Sequence, residues 1–286
     1  MAPSLIRITG ARITPVAFVD PPLLNTVGVH QQYALRAIIQ LDTDTGLVGL
    51  GETYADQTHL ARLKAAADAI TGLDVFALNA IRAAIDERLR GDSRAVGTAG
   101  MITAASAVDQ VFSPFEVACL DVKGHAVGRP VSDLLGGTAC DAVPFSAYLF
   151  YKWAAHPGGQ PDAFGEALDP DGIVAQARRI IDEYGFTAIK LKGGVFPPEE
   201  EMAAIEALRA AFPSHPLRLD PNAAWTPQTS VKVASGLAGI CDTFGLGLSM
   251  HSNSHLGISL AAMVHLAGTT PNLTHACDTH WPWKTE

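Results

Sequence analysis

The sequence predicts an α/β protein in two parts: an N-terminal α+β domain, then a region repeating strand and helix as in a doubly wound sheet or a (β/α)8 barrel. Three observations carry this. Residues 4–128 read as a strand meander followed by alanine-rich helical pattern. From about residue 144 short apolar strands alternate with amphipathic helices, which implies parallel strands. Four of the strand ends in that region carry polar groups.

Residues 4–15 and 33–53 read as strands: "YALRAIIQL" is apolar and β-branched, "DTDTG" is a turn, and "LVGLGETY" returns. Glu52 in that return reads as a structural residue of the hairpin. From about Thr58 to Gly128 the period becomes helical, as in "HLARLKAAADAI" and "NAIRAAIDERL". "FSAYLFY" then reads as a strand. "DPDGIVAQARRIIDEYG" reads as a helix capped by Asp169 or Asp171, with Pro170 near its first turn and Ile173, Ala177, Ile180, Ile181 and Tyr184 on one face. "FTAIKLK" is the next strand. "PPEEEMAAIEALRAAF" is a helix with a solvated start and a core face of Met202, Ile205, Leu208 and Phe212. "PLRLDPN" is a strand, Thr226-Pro227 opens a helix through Leu237, "GLGLSMHS" is a strand, "GISLAAMVHLAG" a helix and "NLTHACDTHW" a strand.

At 286 residues, 48% hydrophobic and 17% charged, the chain is an ordinary globular protein of one large or two ordinary domains. No apolar run reaches the roughly 18 residues of a membrane helix, and "MAPSLIRITG" is too short and broken for a signal peptide. Cys119, Cys140, Cys241 and Cys277 are scattered, which suggests neither a disulfide frame nor a zinc knuckle and fits a cytoplasmic protein. A net charge of −9 without a basic run makes nucleic acid an unexpected partner.

Active residues of parallel α/β proteins sit at the C-terminal ends of strands. Here those ends hold Lys190 and Lys192; Asp220 and Asn222; His251, Ser252 and Asn253; and Asp278 and His280. Spacing by two puts Lys190 with Lys192, and Asp220 with Asn222, on one side of their strands. Two ammonium groups side by side disfavour each other's proton, so one of them can serve as a general base. A strand-end Asp is a hard oxygen ligand suited to Mg²⁺, and a histidine can move a proton at the opposite face of a substrate. Lysine, Mg²⁺ and histidine together suit removal of a proton α to a carboxylate. The bland readings are snorkelling lysines and a strand-ending Asp-Pro-Asn turn. A zinc pair from His251 and His255 lacks a third soft ligand nearby.

"KLKGG", "LDPNAAW", "MHSNSHLGISLAAMVH", "DTHWPW" and "ACLDVKGHAVGRPVSDLLGG" resemble the glucarate dehydratase family of the enolase superfamily, over nearly the whole chain. The resemblance implies an α/β fold with an N-terminal α+β cap domain, residues 1–137, followed by an incomplete (β/α)7β TIM-type barrel, residues 138–286. It implies loss of water from a small-molecule acid sugar, d-glucarate, giving 5-keto-4-deoxyglucarate with Mg²⁺ as cofactor. By position, Lys192 matches the general base, Lys190 its electrostatic partner and substrate contact, and Asp220 the first metal ligand. Asn222 lies beside the leaving group, and His251 matches a second acid/base. Ser252, Asn253, His30, Thr103 and Tyr148 match substrate-holding positions, while His280 matches a substrate contact or proton donor to the departing hydroxyl.

The resemblance also implies something absent. After "DPN" a strand carrying "EDP", one carrying "TNM", and one with an Asp beside the histidine base should follow. Instead "VKVASGLAGI" runs into "CDTFGLGLSM", which implies a deletion near residues 236–241, and the chain stops before the elements that close the barrel. Residues 144–286 hold about five strands where a barrel takes about 250 residues in all. After Asn222 the carboxylate side chains are Asp242, Asp278 and Glu286. An acid-sugar dehydratase with an incomplete metal set, a Schiff-base lyase using Lys192, and a non-catalytic remnant of such an enzyme therefore stay open, and so does homo-oligomerisation.

Overall fold

The computed structural model describes residues 5–91, 104–222, 224–226, 228–229, 256–270, 273 and 275–283. These divide into two compact units. One takes the described residues of Met1–Phe18, Leu35–Asp141 and His255–Pro271; the other takes those of Val19–Ala34, Ala142–Ser254 and Asn272–Glu286.

In the first unit, β1 (Ile8–Val19), β4 (Tyr33–Thr43) and β5 (Val48–Tyr54) form a sheet in the order β1-β4-β5, with β4 and β5 antiparallel. β1 starts and ends later than the sequence reading and includes Pro15. Its place at the end of the strand order allows this, since proline lacks a ladder donor. Helix α3 (Ala104–Val127) packs on β5, α1 (Gln57–Ile70) and α2 (Leu78–Leu89) pack on α3 and on each other, and the short α4 (Val131–Leu134) follows. Ile8, Ile39, Leu41, Leu63, Ile70, Ile81, Ile85 and Phe115 form the centre of this unit's core. β5 and α3 meet backbone to backbone: a Cβ on Gly49 would strike the Ala118 carbonyl, and one on Gly51 the Pro114 carbonyl. The unit also holds α7 (Gly257–Gly268). Buried Glu52 accepts hydrogen bonds from the Leu256 and Ser259 amides (2.7 and 3.1 Å), capping α7, and pairs with Arg36 Nε at 3.0 Å. That is the structural part the sequence reading gave it.

The second unit carries the parallel sheet β6 (Ser146–Phe150), β7 (Ala188–Lys192) and β8 (Leu217–Asp220), in that order. Helices α5 (Pro170–Tyr184) and α6 (Pro198–Ala211) connect the strands and bury Ile173, Ala177, Ile180, Ile205 and Leu208 with Leu149, Ile189 and Leu191. Asp169 caps α5 by accepting the Gly172 amide at 2.8 Å, and Gly185 ends the helix at φ 69°, in the left-handed region glycine favours. A hairpin of two-residue strands, β2 (Leu24–Asn25) and β3 (Gly28–Val29), also belongs to this unit.

Two expectations differ. The stretch read as the strand "NLTHACDTHW" is no continuous strand among its described residues: Leu273 and Cys277 sit in isolated bridges, that of Cys277 running parallel to Phe145 beside β6, and a 3-10 turn, Trp281–Trp283, follows. Pro282 cannot donate to a ladder, which suits that turn. Glu201 in "PPEEE" is not solvated but fully buried. Of the helix read from Thr226, Gln228 and Thr229 are described as helical, and its remainder and the strand "GLGLSMHS" lie outside the described residues.

Candidate active site

Register builds the site. In β6, β7 and β8, Tyr148 stands beside Lys190 and Arg218, and Phe150 beside Lys192 and Asp220. Each strand contributes positions two apart, so these six side chains share one face of the sheet. The face is closed in: Tyr148, Lys190 and Lys192 are all nearly buried. Trp283 Nε1 donates to the Tyr148 carbonyl at 3.0 Å, fixing the segment past Asp278 against β6.

Carboxylates meet each cation. Lys192 Nζ donates to Asp220 Oδ2 at 3.0 Å and to Asn222 Oδ1 at 2.9 Å. Lys190 Nζ reaches the same Asp220 Oδ2 at 3.0 Å, contacts Asp278 Oδ2 at 2.6 Å and lies 4.7 Å from the Tyr148 ring centroid. Arg218 Nη2 donates to Asp278 Oδ1 at 2.6 Å, where Ser146 Oγ also donates at 3.0 Å. The two ammonium groups therefore do not face each other bare. Asp220 stands between them, which corrects the expectation that repulsion alone defines the pair. Burial pushes the Asp220 carboxyl up, but the Lys190 and Lys192 charges and hydrogen bonds outweigh it and hold the group well below the usual carboxylate range. Burial, and behind it Asp278 and Asp220, pushes the Tyr148 phenol up, so it stays protonated.

Asn222 takes a left-handed backbone (φ 54°), its amide donating to Asp220 Oδ1 at 3.0 Å and its Nδ2 to Thr26 Oγ1 at 3.1 Å. The loop after Lys192 is set by glycines and a buried acid. Glu201 Oε1 accepts the Val195 and Phe196 amides at 2.8 and 3.1 Å, and a Cβ on Gly193 would stand 2.5 Å from Glu201 Oε2. Gly194 (φ 77°) lies so close to the Pro221 carbonyl that a side chain would collide.

Two histidines complete the described site. His30 follows the β2–β3 hairpin and shares a 3.0 Å Nδ1–Oδ2 contact with Asp20. Its ring stacks on His280, centroids 6.3 Å apart and 10° between planes, and the His280 ring lies edge-on to Tyr148 at 5.2 Å. The structure thus brings together Lys190, Lys192, Asp220, Asn222, His30, Tyr148 and His280. Thr103, His251, Ser252 and Asn253 lie outside the described residues. The sequence reading passed over Arg218, Glu201, Asp20 and Thr26. Arg218 was reachable, because it stands two residues before Asp220 on the same strand. The other three become site neighbours through contacts that no local pattern announces.

A hard divalent cation needs several free oxygen ligands. Asp220 Oδ2 is held by both lysines and its Oδ1 by the Asn222 amide. Asp278 is held by Lys190, Arg218 and Ser146. Among the described residues no three His, Cys, Asp or Glu side chains gather to hold a metal. This donor set does not fit Mg²⁺ in the expected manner.

Residues 8–136 match the family model "Mandelate racemase / muconate lactonizing enzyme, N-terminal domain", and residues 172–240 and 236–286 match "Enolase C-terminal domain-like" in two pieces. A probable glucarate dehydratase of Streptomyces coelicolor is 44% identical over 358 residues, covering 98% of this chain and 83% of its own. An enolase from Mycobacterium smegmatis, solved with tartrate, has 65% identity and TM-score 0.92, covering 100% of this chain and 84% of its own. Another from Gibberella zeae, solved with magnesium, formate and sulfate, has 50% identity and TM-score 0.93, covering 98% and 81%.

Proposed function

Since the chain belongs to the enolase superfamily, we propose that it acts on an acid sugar as a glucarate dehydratase does, taking d-glucarate to 5-keto-4-deoxyglucarate and water. The observation carrying this reading is the lysine pair of β7 on one sheet face with Tyr148 and Asp220, with Asn222 bonded to Lys192, His280 against the Tyr148 ring and His30 stacked on His280.

In this reading Lys192 Nζ takes the proton α to the substrate carboxylate. Lys190, supported by Tyr148, offers charge to that carboxylate as negative charge develops on it. Asn222 lies beside the hydroxyl that leaves, and His280 gives it a proton, so that one water departs. His30, Thr103, Tyr148, Ser252 and Asn253 hold the remaining hydroxyls and the far carboxylate, and His251 serves the opposite face of the α-carbon. Relatives of this chain were solved with magnesium; Asp220, held by both lysines, does not fit it among the described residues, and no step of this reading runs through it. Cytoplasmic location fits a sugar-acid enzyme, and among the described residues no helix is long and apolar enough to cross a membrane.

The test is keto-acid formation from d-glucarate by this chain and by Lys192→Ala. Loss of a general base lowers the rate by roughly 10²–10⁴-fold. Turnover unchanged by the substitution removes Lys192 from the role. A second reading, an acid-sugar-binding remnant without turnover, is favoured by the engaged carboxylates of Asp220 and Asp278. A folded chain that binds d-glucarate but forms no keto acid selects it.

A further inference from the structure

Glu201 is fully buried in the first turn of α6, although burial opposes a carboxylate. The start of a helix favours negative charge, and two loop amides add to that: Oε1 accepts from Val195 and Phe196 at 2.8 and 3.1 Å. Oε2 has no hydrogen-bond partner among the described residues and lies against Gly193, where a Cβ would stand 2.5 Å from it. Among the described residues, the side-chain hydrogen bonds of Glu201 therefore go wholly to the loop between β7 and α6. That loop starts at the residue after Lys192. The Gly193 amide donates to the Asp220 carbonyl at 2.8 Å, and a side chain on Gly194 (φ 77°) would meet the Pro221 carbonyl and the Thr26 methyl. Thr26 Oγ1 accepts from Asn222 Nδ2 at 3.1 Å. Asp220 and Asn222 in turn hold Lys192 Nζ, at 3.0 and 2.9 Å. Contacts thus run without a break from the Glu201 carboxylate to the Lys192 amine.

We propose that Glu201 is a positioning residue for Lys192. By holding the Val195 and Phe196 amides it fixes the loop that clamps the end of β7 to the Asp220–Asn222 turn, and so fixes where the Lys192 amine stands. A neutral amine has two hydrogens, enough for the bonds to Asp220 and Asn222 with its lone pair left over, and an ammonium has three, so the placement holds for either form. For the use made of Lys192 as a base this rests on the acid-sugar reading above.

The experiment is amine acylation of the full chain with an N-hydroxysuccinimide ester, read by peptide mass spectrometry as the labelling rate of Lys192 relative to exposed Lys64. Leaving Asp220 and Asn222 uncovers the Lys192 amine and removes its acceptors, and both changes quicken labelling. Glu201→Met, which fills a similar space without an acceptor, should speed Lys192 by about tenfold, the scale of one net hydrogen bond lost. Glu201→Gln, which keeps an acceptor for the two amides, should match the parent. An unchanged relative rate in a cooperatively folded Glu201→Met, or an equal rise in Glu201→Gln, overturns the proposal. If Glu201→Met does not fold, Glu201→Asp, which withdraws the carboxylate by one methylene, takes its place under the same criteria. Where the parent forms keto acid from d-glucarate, Glu201→Met should also lower kcat by about tenfold or more with little change in KM, and Glu201→Gln should restore it. A rise in KM alone overturns the positioning role. A folded parent without turnover removes the acid-sugar reading and leaves the labelling to decide.

Discussion

The Asp220 carboxyl is pulled in opposite directions: burial favours its neutral form, and two lysines favour its charge strongly enough to win. His59, in the first turn of α1, shows the opposite outcome. Burial lowers its pKa from 6.5, Arg62 and Arg36 add to the fall, and Asp56 opposes it; Thr53 Oγ1 lies 3.1 Å from its Nε2. In the unfolded chain His59 takes up a proton near pH 6.5, whereas the folded chain resists doing so until lower pH. Below 6.5 the unfolded state therefore binds more protons, and stability falls as pH drops toward the folded value. His59→Gln should flatten the decline of the unfolding midpoint between about pH 7 and 5, the range around the ordinary histidine pKa; a variant as acid-sensitive as the parent would exclude His59 as a source. At this scale the sequence was partly readable. Period-two spacing brings Lys190 and Lys192 to one face, and the same rule applies to Arg218. The compensation by Asp278 depends on a segment 88 residues away and has no local signature.

Elements were more legible where their ends carry their own chemistry. α5 is written into the chain by Asp169, Pro170, an apolar stripe and Gly185; the cap, the left-handed end and the buried Ile173, Ala177 and Ile180 follow the reading, while Tyr184, read on the same face, is exposed. Asp169→Ala leaves the Gly172 amide without its side-chain acceptor, and should cost about 1 kcal/mol of stability by denaturant unfolding. Asp169→Asn keeps an acceptor and should cost much less; equal losses from both would show that the cap bond is not the cause. Legibility fails where an element is defined by a distant neighbour. The Cys277 segment looks apolar enough for a strand, yet among its described residues it forms isolated bridges, one of them to Phe145 beside β6, before Pro282 turns the chain. Glu201 reads as part of an acidic helix start, but the Val195 and Phe196 amides of its own preceding loop draw it inward.

At the scale of the whole chain, what matters is which parts of the family's plan are present. The S. coelicolor relative aligns over 358 residues against this chain's 286, so at least 72 aligned positions lack a residue here. The two matches to the C-terminal family model meet at residues 236–240, where the sequence reading placed its deletion. The missing stretch falls after Asp220 and Asn222 and before the segment carrying Asp278 and His280, so both sides of the described site survive while whatever lay between does not. Among the described residues the cations of β7 and β8 hold Asp220 and Asp278. That arrangement predicts what restoration would do. A chimera carrying the relative's intervening residues in place of 236–240 should bind d-glucarate more tightly in Mg²⁺ than in EDTA, by about tenfold or roughly 1.4 kcal/mol. The unaltered chain should show no such difference. The comparison is made on samples that each melt cooperatively, so that added sequence is not confused with lost structure. A cooperative chimera that remains indifferent to Mg²⁺ would mean that the absent residues do not set the metal requirement, and that the lysines' hold on Asp220 belongs to this sequence itself.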